Sequence, residues 1–195
     1  MKKDCSALIL AAGISSRMKQ PKLLLTTPEG TTFLENIARQ YDEFGCQRII
    51  IVLNVEGVNL INKHQIKLPS QTQIILNLHP EFGRFYSIKT GIIQIESSYT
   101  FIHNVDNPFA KLEVLEQLYI SKKEADVIKP VYNGIGGHPV LISQKVCDSI
   151  LVEDENTLNL KAILSRFITL KIEVHDATIL QNINTYNEYL ELYRK

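Results

Sequence analysis

Two cations, Arg17 and Lys22, sit in a stretch that reads "LILAAGISSRMKQPKLLL" from residue 8 to residue 25. An apolar run ends there in a glycine, two serines and a basic tail, a chemistry suited to holding an anion. Gly13 allows close approach of the backbone, and successive N–H groups in such a turn form an anion-binding nest. Arg17 adds a planar fork that matches phosphate, and Lys22 adds a mobile point charge. Pro21 restrains the backbone that delivers that ammonium. The Gly-x-x-x-x-Gly-Lys-Ser/Thr phosphate loop is absent, and so is Gly-x-Gly-x-x-Gly. On residue types alone, a solvated basic loop between a strand and a helix explains the stretch as well. No Ser/His/Asp or Cys/His constellation accompanies it. His64, His79, His103 and His175 lack metal-ligand spacing and read as structural or solvated.

The surrounding pattern must position that loop. Ala7–Leu10, Arg48–Leu53, Gln73–Leu76, Thr100–Val105, Ala125–Tyr132, His138–Ser143 and Leu170–Val174 read as strands. Thr32 and Glu35 form a capping box before Leu34, Ile37, Ala38, Tyr41 and Phe44 at helical spacing, and Gly45 ends that helix. Helical spacing recurs over 87–95, 111–123, 144–151 and 158–166, and again from about Tyr186. Strands alternating with helices imply βαβ units in a doubly wound, mostly parallel α/β sheet. "YNGIGGH" (132–138) joins two strands directly, as a hairpin excursion would. Ligands in such sheets bind at the carboxyl ends of the strands, which points to the loops after Leu10, Leu53, Leu76, Val105 and Tyr132.

The 195 residues suit one domain with a sizeable core, and no repeat or linker divides them. Lysine plus arginine equals aspartate plus glutamate, a balance that argues against nucleic acid or an anionic membrane as partner. Cys5, Cys46 and Cys147 are an odd, widely spaced set without Cys-x-x-Cys, as expected of reduced thiols. No apolar run approaches the ~20 residues of a bilayer span, and the first run is too short for a signal h-region. The expectation is a soluble cytoplasmic protein.

"LAAGISSRMKQPK" resembles the Leu-Ala-Ala-Gly-x-Ser-x-Arg-Met-Gly-x-Pro-Lys signature of nucleotidyltransferases built on a Rossmann-like sheet, with Lys19 where the pattern has glycine. Further stretches resemble one branch, the molybdenum cofactor cytidylyltransferases that serve molybdenum hydroxylases. These are "HPEFGRFYSIKTG" (79–91), "HNVDNP" (103–108), "GIGGHPVLIS" (134–143) and "ILQNINTYNEYLEL" (179–192). The resemblance implies a single domain of the nucleotide-diphospho-sugar transferase kind, with a nucleotide side over about 1–106 and a cofactor side over about 107–195. It implies a nucleotide on Leu10, Ala11, Ala12, Gly13, Ser15, Ser16, Arg17, Lys22, Asn54, Gly83 and Ser87. It implies magnesium on Asp106 and Asn184, and the acceptor on Gly137, His138 and Asn182. Each has a plainer reading. Asn107 with Pro108 could begin a helix as N-cap and N1, His138 could be an ordinary hairpin residue, and Asn182 with Asn184 could be a turn. In the closing motif this chain has amides where relatives often carry a carboxylate.

The implied reaction moves CMP from CTP to the phosphate of the molybdenum–pterin cofactor and releases pyrophosphate. A phosphate monoester is mostly dianionic near neutrality, with a second pKa of about 6, so no general base is needed. Charge screening and alignment are needed instead, and Arg17, Lys22 and a magnesium on Asp106 would provide them. Ala12, where guanylyl-transferring relatives tend to have glycine, narrows the space beside the base and favours a pyrimidine, although one methyl discriminates by only ~1–3 kcal/mol. The alternatives are a cytidylyl- or uridylyltransferase for a sugar phosphate, and a non-catalytic accessory delivering cofactor to a hydroxylase. The expected oligomeric state is a monomer or weak dimer.

Overall fold

Alternation along the apolar runs divides the core into two layers. In the computed structural model, which describes residues 2–13, 18, 20–109, 111–153 and 159–192, β1 (Lys3–Leu10) sends Cys5, Ala7 and Ile9 to one face and Leu8 and Leu10 to the other. β2 (Cys46–Leu53) splits likewise, Ile49, Ile51 and Leu53 against Ile50 and Val52. β3 (Thr72–Leu76) and β4 (Tyr99–Asn104) complete a parallel half in the order β3-β2-β1-β4. β5 (Val127–Tyr132), β6 (Ile135–Gly136), β7 (Val140–Ser143) and β8 (Thr169–Glu173) form the other half. There β7 runs antiparallel between β4 and β5, and β8 lies parallel to β5 on its far side. The expected hairpin is present: β6 and β7 are two pieces of one return strand along β5, interrupted at Gly137–Pro139.

Helices cover both faces. α1 (Phe33–Phe44), α2 (Val55–His64) and α4 (Leu112–Ile120) pack on the Ile9 side, and α3 (Gly83–Ile92), α5 (Gln144–Val152) and α6 (Leu160–Leu164) on the Leu8 side. α7 (Tyr186–Glu191) adds Tyr189 to the first layer, edge-on to Phe33. The Thr32–Glu35 capping box forms, and Gly45 ends α1 at φ 95°. Gly91 is needed where α3 crosses the sheet, since a Cβ there would lie 2.3 Å from Leu8 Cδ1 and 2.9 Å from Val52 Cγ2. All three cysteines are buried and free.

Three expectations are corrected. α2 was not foreseen from its polar sequence; Asn54 starts it by accepting from Gly57 N–H at 2.7 Å. α3 begins at Gly83 rather than Ser87, because the 3-10 turn Pro80–Phe82 leads directly into it. Asn107 does not cap a helix. α4 begins at Leu112, while the fully buried Asn107 side chain donates to the carbonyls of Thr178, Ile179 and Gln181 at 3.3, 3.2 and 3.0 Å. Among the described residues no helix is long and apolar enough to cross a membrane.

Candidate active site

β1, β2 and β4 end at one level, and the chain beyond them stays in register. Ala11 N–H donates to Val52 O at 3.0 Å, and Val105 N–H donates to Leu10 O at 3.1 Å. A cavity of about 490 Å³ opens over these strand ends, where the order of crossovers reverses between β1 and β4. Leu10, Ala11, Ala12, Gly13, Lys22, Asn54, Gly83, Ser87 and Asp106 all line it. Ser15, Ser16, Arg17 and Lys19 lie outside the described residues.

Two asparagines fix the shape of this cavity. Asn54 caps α2 with its oxygen and donates its Nδ2 to Ala12 O at 3.2 Å, tying the first loop to the end of β2. Asn77 accepts from His79 N–H at 2.7 Å and donates to Ser87 Oγ at 2.9 Å. The Ser87 hydroxyl therefore retains its proton to donate. Gly83 adopts φ 84°, and a Cβ there would meet nothing, so its glycine is required by the turn alone.

The opposite wall is charged. Lys22 Nζ bridges Asp106 Oδ2 at 3.1 Å and Asn184 Oδ1 at 3.0 Å. The closing segment reaches Asp106 because Ile183 N–H donates to Asp106 O at 2.7 Å and Asn107 grips the preceding turn. Glu188 supplies a nearby carboxylate to the amide-rich closing motif. Its Oε2 accepts from Asn184 N–H at 2.6 Å and Thr185 N–H at 2.9 Å. The Asn184 bond leads in lowering its pKa, with Thr185 and the Lys22 charge acting the same way.

The oxygens of Asp106 and Asn184 share one cation, the Lys22 ammonium, and both are hard donors. One carboxylate and one amide oxygen, with room for ligand phosphates beside them, match how magnesium is ordinarily held. Among the described residues no cluster of three His, Cys, Asp or Glu residues offers a denser metal site. The residues present therefore fit a magnesium ion shared with a substrate.

The remaining candidates fall elsewhere. Asn182 lines a second cavity of about 430 Å³ with Ile183 and Glu188. Gly137 is a packing residue, since a Cβ there would lie 2.6 Å from Ile179 O. His138 N–H donates to that same carbonyl at 3.0 Å, the His138–Pro139 peptide is cis, and Nδ1 is buried without a partner. Burial draws the His138 imidazole below its ordinary pKa, Arg84 and Lys129 push it the same way, and Asp106 opposes. Sequence reasoning missed Arg84, which lines the first cavity. Desolvation at the cleft wall lowers its pKa while Asp106 opposes, and a guanidinium stays charged throughout. Its signal was one of two cations in "GRFYSIKTG", three residues before the start first expected for that helix. His103 is structural: Nε2–H donates to Asn107 O at 2.7 Å, so Nδ1 accepts the Tyr41 hydroxyl at 2.9 Å.

A parallel-centred sheet with its cleft at the β1/β4 switch point and a lysine–aspartate pair in the wall defines a nucleotidyltransferase. Residues 7–169 match the model of the MobA-like NTP transferase domain, and the chain belongs to that family. It is 28% identical over 189 residues to the molybdenum cofactor cytidylyltransferase of Escherichia coli K12, spanning 96% of this chain and 93% of that one. It is 26% identical over 201 residues to a probable molybdenum cofactor guanylyltransferase of Clostridium perfringens strain SM101, spanning 97% and 96%. The fold matches a manganese complex of Rv0371C from Mycobacterium tuberculosis H37Rv with a TM-score of 0.80, 16% identity and 98% of each chain covered.

Proposed function

We propose that this nucleotidyltransferase transfers CMP from CTP to the terminal phosphate of the molybdenum–pterin cofactor, releasing pyrophosphate. The observation that carries this reading is the cavity at the strand ends, where the first-loop backbone, Ser87, Lys22 and Asp106 converge. The near full-length similarity to the Escherichia coli cytidylyltransferase supports the choice of substrates. In this reading residues up to about 106 hold the nucleotide, and the remainder holds the cofactor. Ala11, Ala12 and Gly13 border the nucleotide, and Arg17 and Lys22 bind its phosphates. The acceptor's phosphate oxygen attacks the α-phosphorus as the bond to pyrophosphate breaks. Lys22 stabilises the departing charge, Asp106 and Asn184 hold magnesium, and the Ser87 hydroxyl donates to the ligand. Magnesium, when bound, neutralises phosphate charge during the transfer. The buried Ala12 methyl limits space beside the base. The manganese in the mycobacterial complex is in keeping with a divalent ion.

The test is pyrophosphate release with molybdenum cofactor and each of CTP and GTP. Faster release with CTP, linear in enzyme and lost on chelation, is expected. Faster release with GTP would reassign the base, and release with neither would remove the catalytic reading.

A further inference from the structure

The hairpin and the edge of the sheet bring a histidine and two lysines together, and among the described residues no carboxylate pairs with either lysine. β5 and β6 pair Tyr132 with Ile135 and Val131 with Gly136, and Gly137 N–H donates to Pro130 O at 2.9 Å. The return strand shifts register between Gly136 and Val140, and His138 falls there, near enough to Lys129 for the lysine charge to act on its imidazole. On the other side of β5, Lys129 is paired with Lys171 of β8. Lys129 thus stands between the turn that carries His138 and Lys171 on the neighbouring strand. Like charges directly opposite on neighbouring strands destabilise a sheet. Here neither lysine has an ion pair or hydrogen bond among the described residues, and Lys129 is half-buried. Glu173, the acidic residue on that face of β8, is occupied by Asn133 N–H at 2.7 Å. At the inner end, the buried Nδ1 of His138 has no partner among the described residues, and the charges of Arg84 and Asp106, which line the first cavity, act on that imidazole.

We propose that this group is an anion subsite of the acceptor: Arg84 and His138 take its reacting phosphate beside Asp106, and Lys129 and Lys171 take a second anionic group of the same molecule. Neighbouring strands lie about 4.8 Å apart, so the two anions of a fitting acceptor are separated by one and a half to two strand spacings, about 7–10 Å. A phosphate monoester with no second charge would leave Lys129 and Lys171 unused. The inference rests on the nucleotidyltransferase reading of the first cavity and narrows its acceptor to extended molecules with two separate anionic groups.

Two probes isolate it, hexyl phosphate and hexane-1,6-diol bisphosphate. They are titrated by calorimetry into protein holding magnesium and a CTP analogue with a methylene bridge between the α- and β-phosphorus. Wild type is expected to bind the bisphosphate about tenfold tighter than the monophosphate, the value of a charge-assisted contact. K129Q/K171Q should abolish that preference and leave hexyl phosphate affinity unchanged. R84Q should weaken both probes about tenfold and shift affinity for the analogue by less than about twofold. K129Q/K171Q removes a like-charge pair, so its thermal midpoint should equal or exceed that of wild type, which verifies folding. Equal affinity for the two probes in wild type, or a preference retained in K129Q/K171Q, overturns the subsite. Failure of the analogue to bind wild type counts against the nucleotide cavity instead, and the probes titrated alone then decide the subsite by the same comparison.

Discussion

The two halves of the sheet treat their polar groups differently. At the ends of β2 and β3, Asn54 and Asn77 each use both ends of the amide on the protein, one to shape the first loop and the other to orient Ser87. Beyond β4, Asn107 Oδ1 and His138 Nδ1 are buried without partners among the described residues, and Lys129 faces Lys171. Around the cavity the first half is preorganised by its own hydrogen bonds, and its buried unpartnered group, Thr72 Oγ1, lies at the opposite end of β3. The second keeps polar capacity unfilled, at a cost of ~1–3 kcal/mol for each buried unsatisfied group. In the proposed reading, such a cleft would hold the nucleotide on a finished surface and leave the acceptor to complete its own.

The sharpest way to break that contrast is at the boundary, where Lys22 meets Asp106. Asp106→Ala and Lys22→Ala should each lower turnover on the order of a hundredfold or more, as expected for a charge-stabilising group. Their partly exposed ion pair contributes only ~0–1 kcal/mol to stability, so both variants should unfold at near-wild-type urea concentrations. Rates within a fewfold of wild type in either would exclude that residue from the chemistry.

A change behind the cleft should act on stability instead. Asn107→Ala strips donors from three carbonyls of the closing segment and should cost on the order of 3 kcal/mol in urea unfolding. A loss below about 1 kcal/mol would show that the segment is held mainly by its apolar contacts.

Acid should reveal the polar link between the layers. Burial and the His138 charge hold His103 down at about 4, against an ordinary 6.5. The unfolded chain therefore takes up this proton first as pH falls. The stability linked to neutral His103 is complete above about 6.5 and is lost as pH falls through about 4, on the order of 3 kcal/mol at most. Urea midpoints of wild type and His103→Gln should converge over that window; parallel curves would contradict the assignment.

The smallest effect is expected at Asn54. Replacement by alanine removes the α2 cap and the tether on Ala12, costing about 1 kcal/mol of stability. CTP affinity should fall while kcat stays near wild type, because the loop is loosened and no charge is lost. A fall in kcat with affinity unchanged would give Asn54 a role in the chemistry.

What the sequence discloses follows from how local the cause is. Thr32, Glu35 and Gly45 act within one helix, and the runs of β1 and β2 are apolar on both faces, so these elements could be read directly. The polar, basic character of the first loop was legible in its residue types, and its proposed tie to a nucleotide rests on the motif resemblance. α2 was hidden because Gly57 and a string of polar residues mask its core contacts, Ile61 and the partly buried Val58 and Leu60. Asn107 resembled a helix cap because its true partners lie more than seventy residues away. His138 and Lys129 meet only through the hairpin register, and Arg84 meets Asp106 only across the cleft. No spacing in the sequence encodes either meeting.

The central claim is that the cavity at the strand ends binds a nucleoside triphosphate through Lys22 and a magnesium held at Asp106. Calorimetry of CTP, GTP, ATP and UTP, with and without magnesium, on wild type and Asp106→Ala tests it most directly. The account predicts tightest binding of CTP, dependent on magnesium and lost in Asp106→Ala. Absence of binding by any triphosphate, or CTP binding indifferent to both magnesium and Asp106, would contradict it.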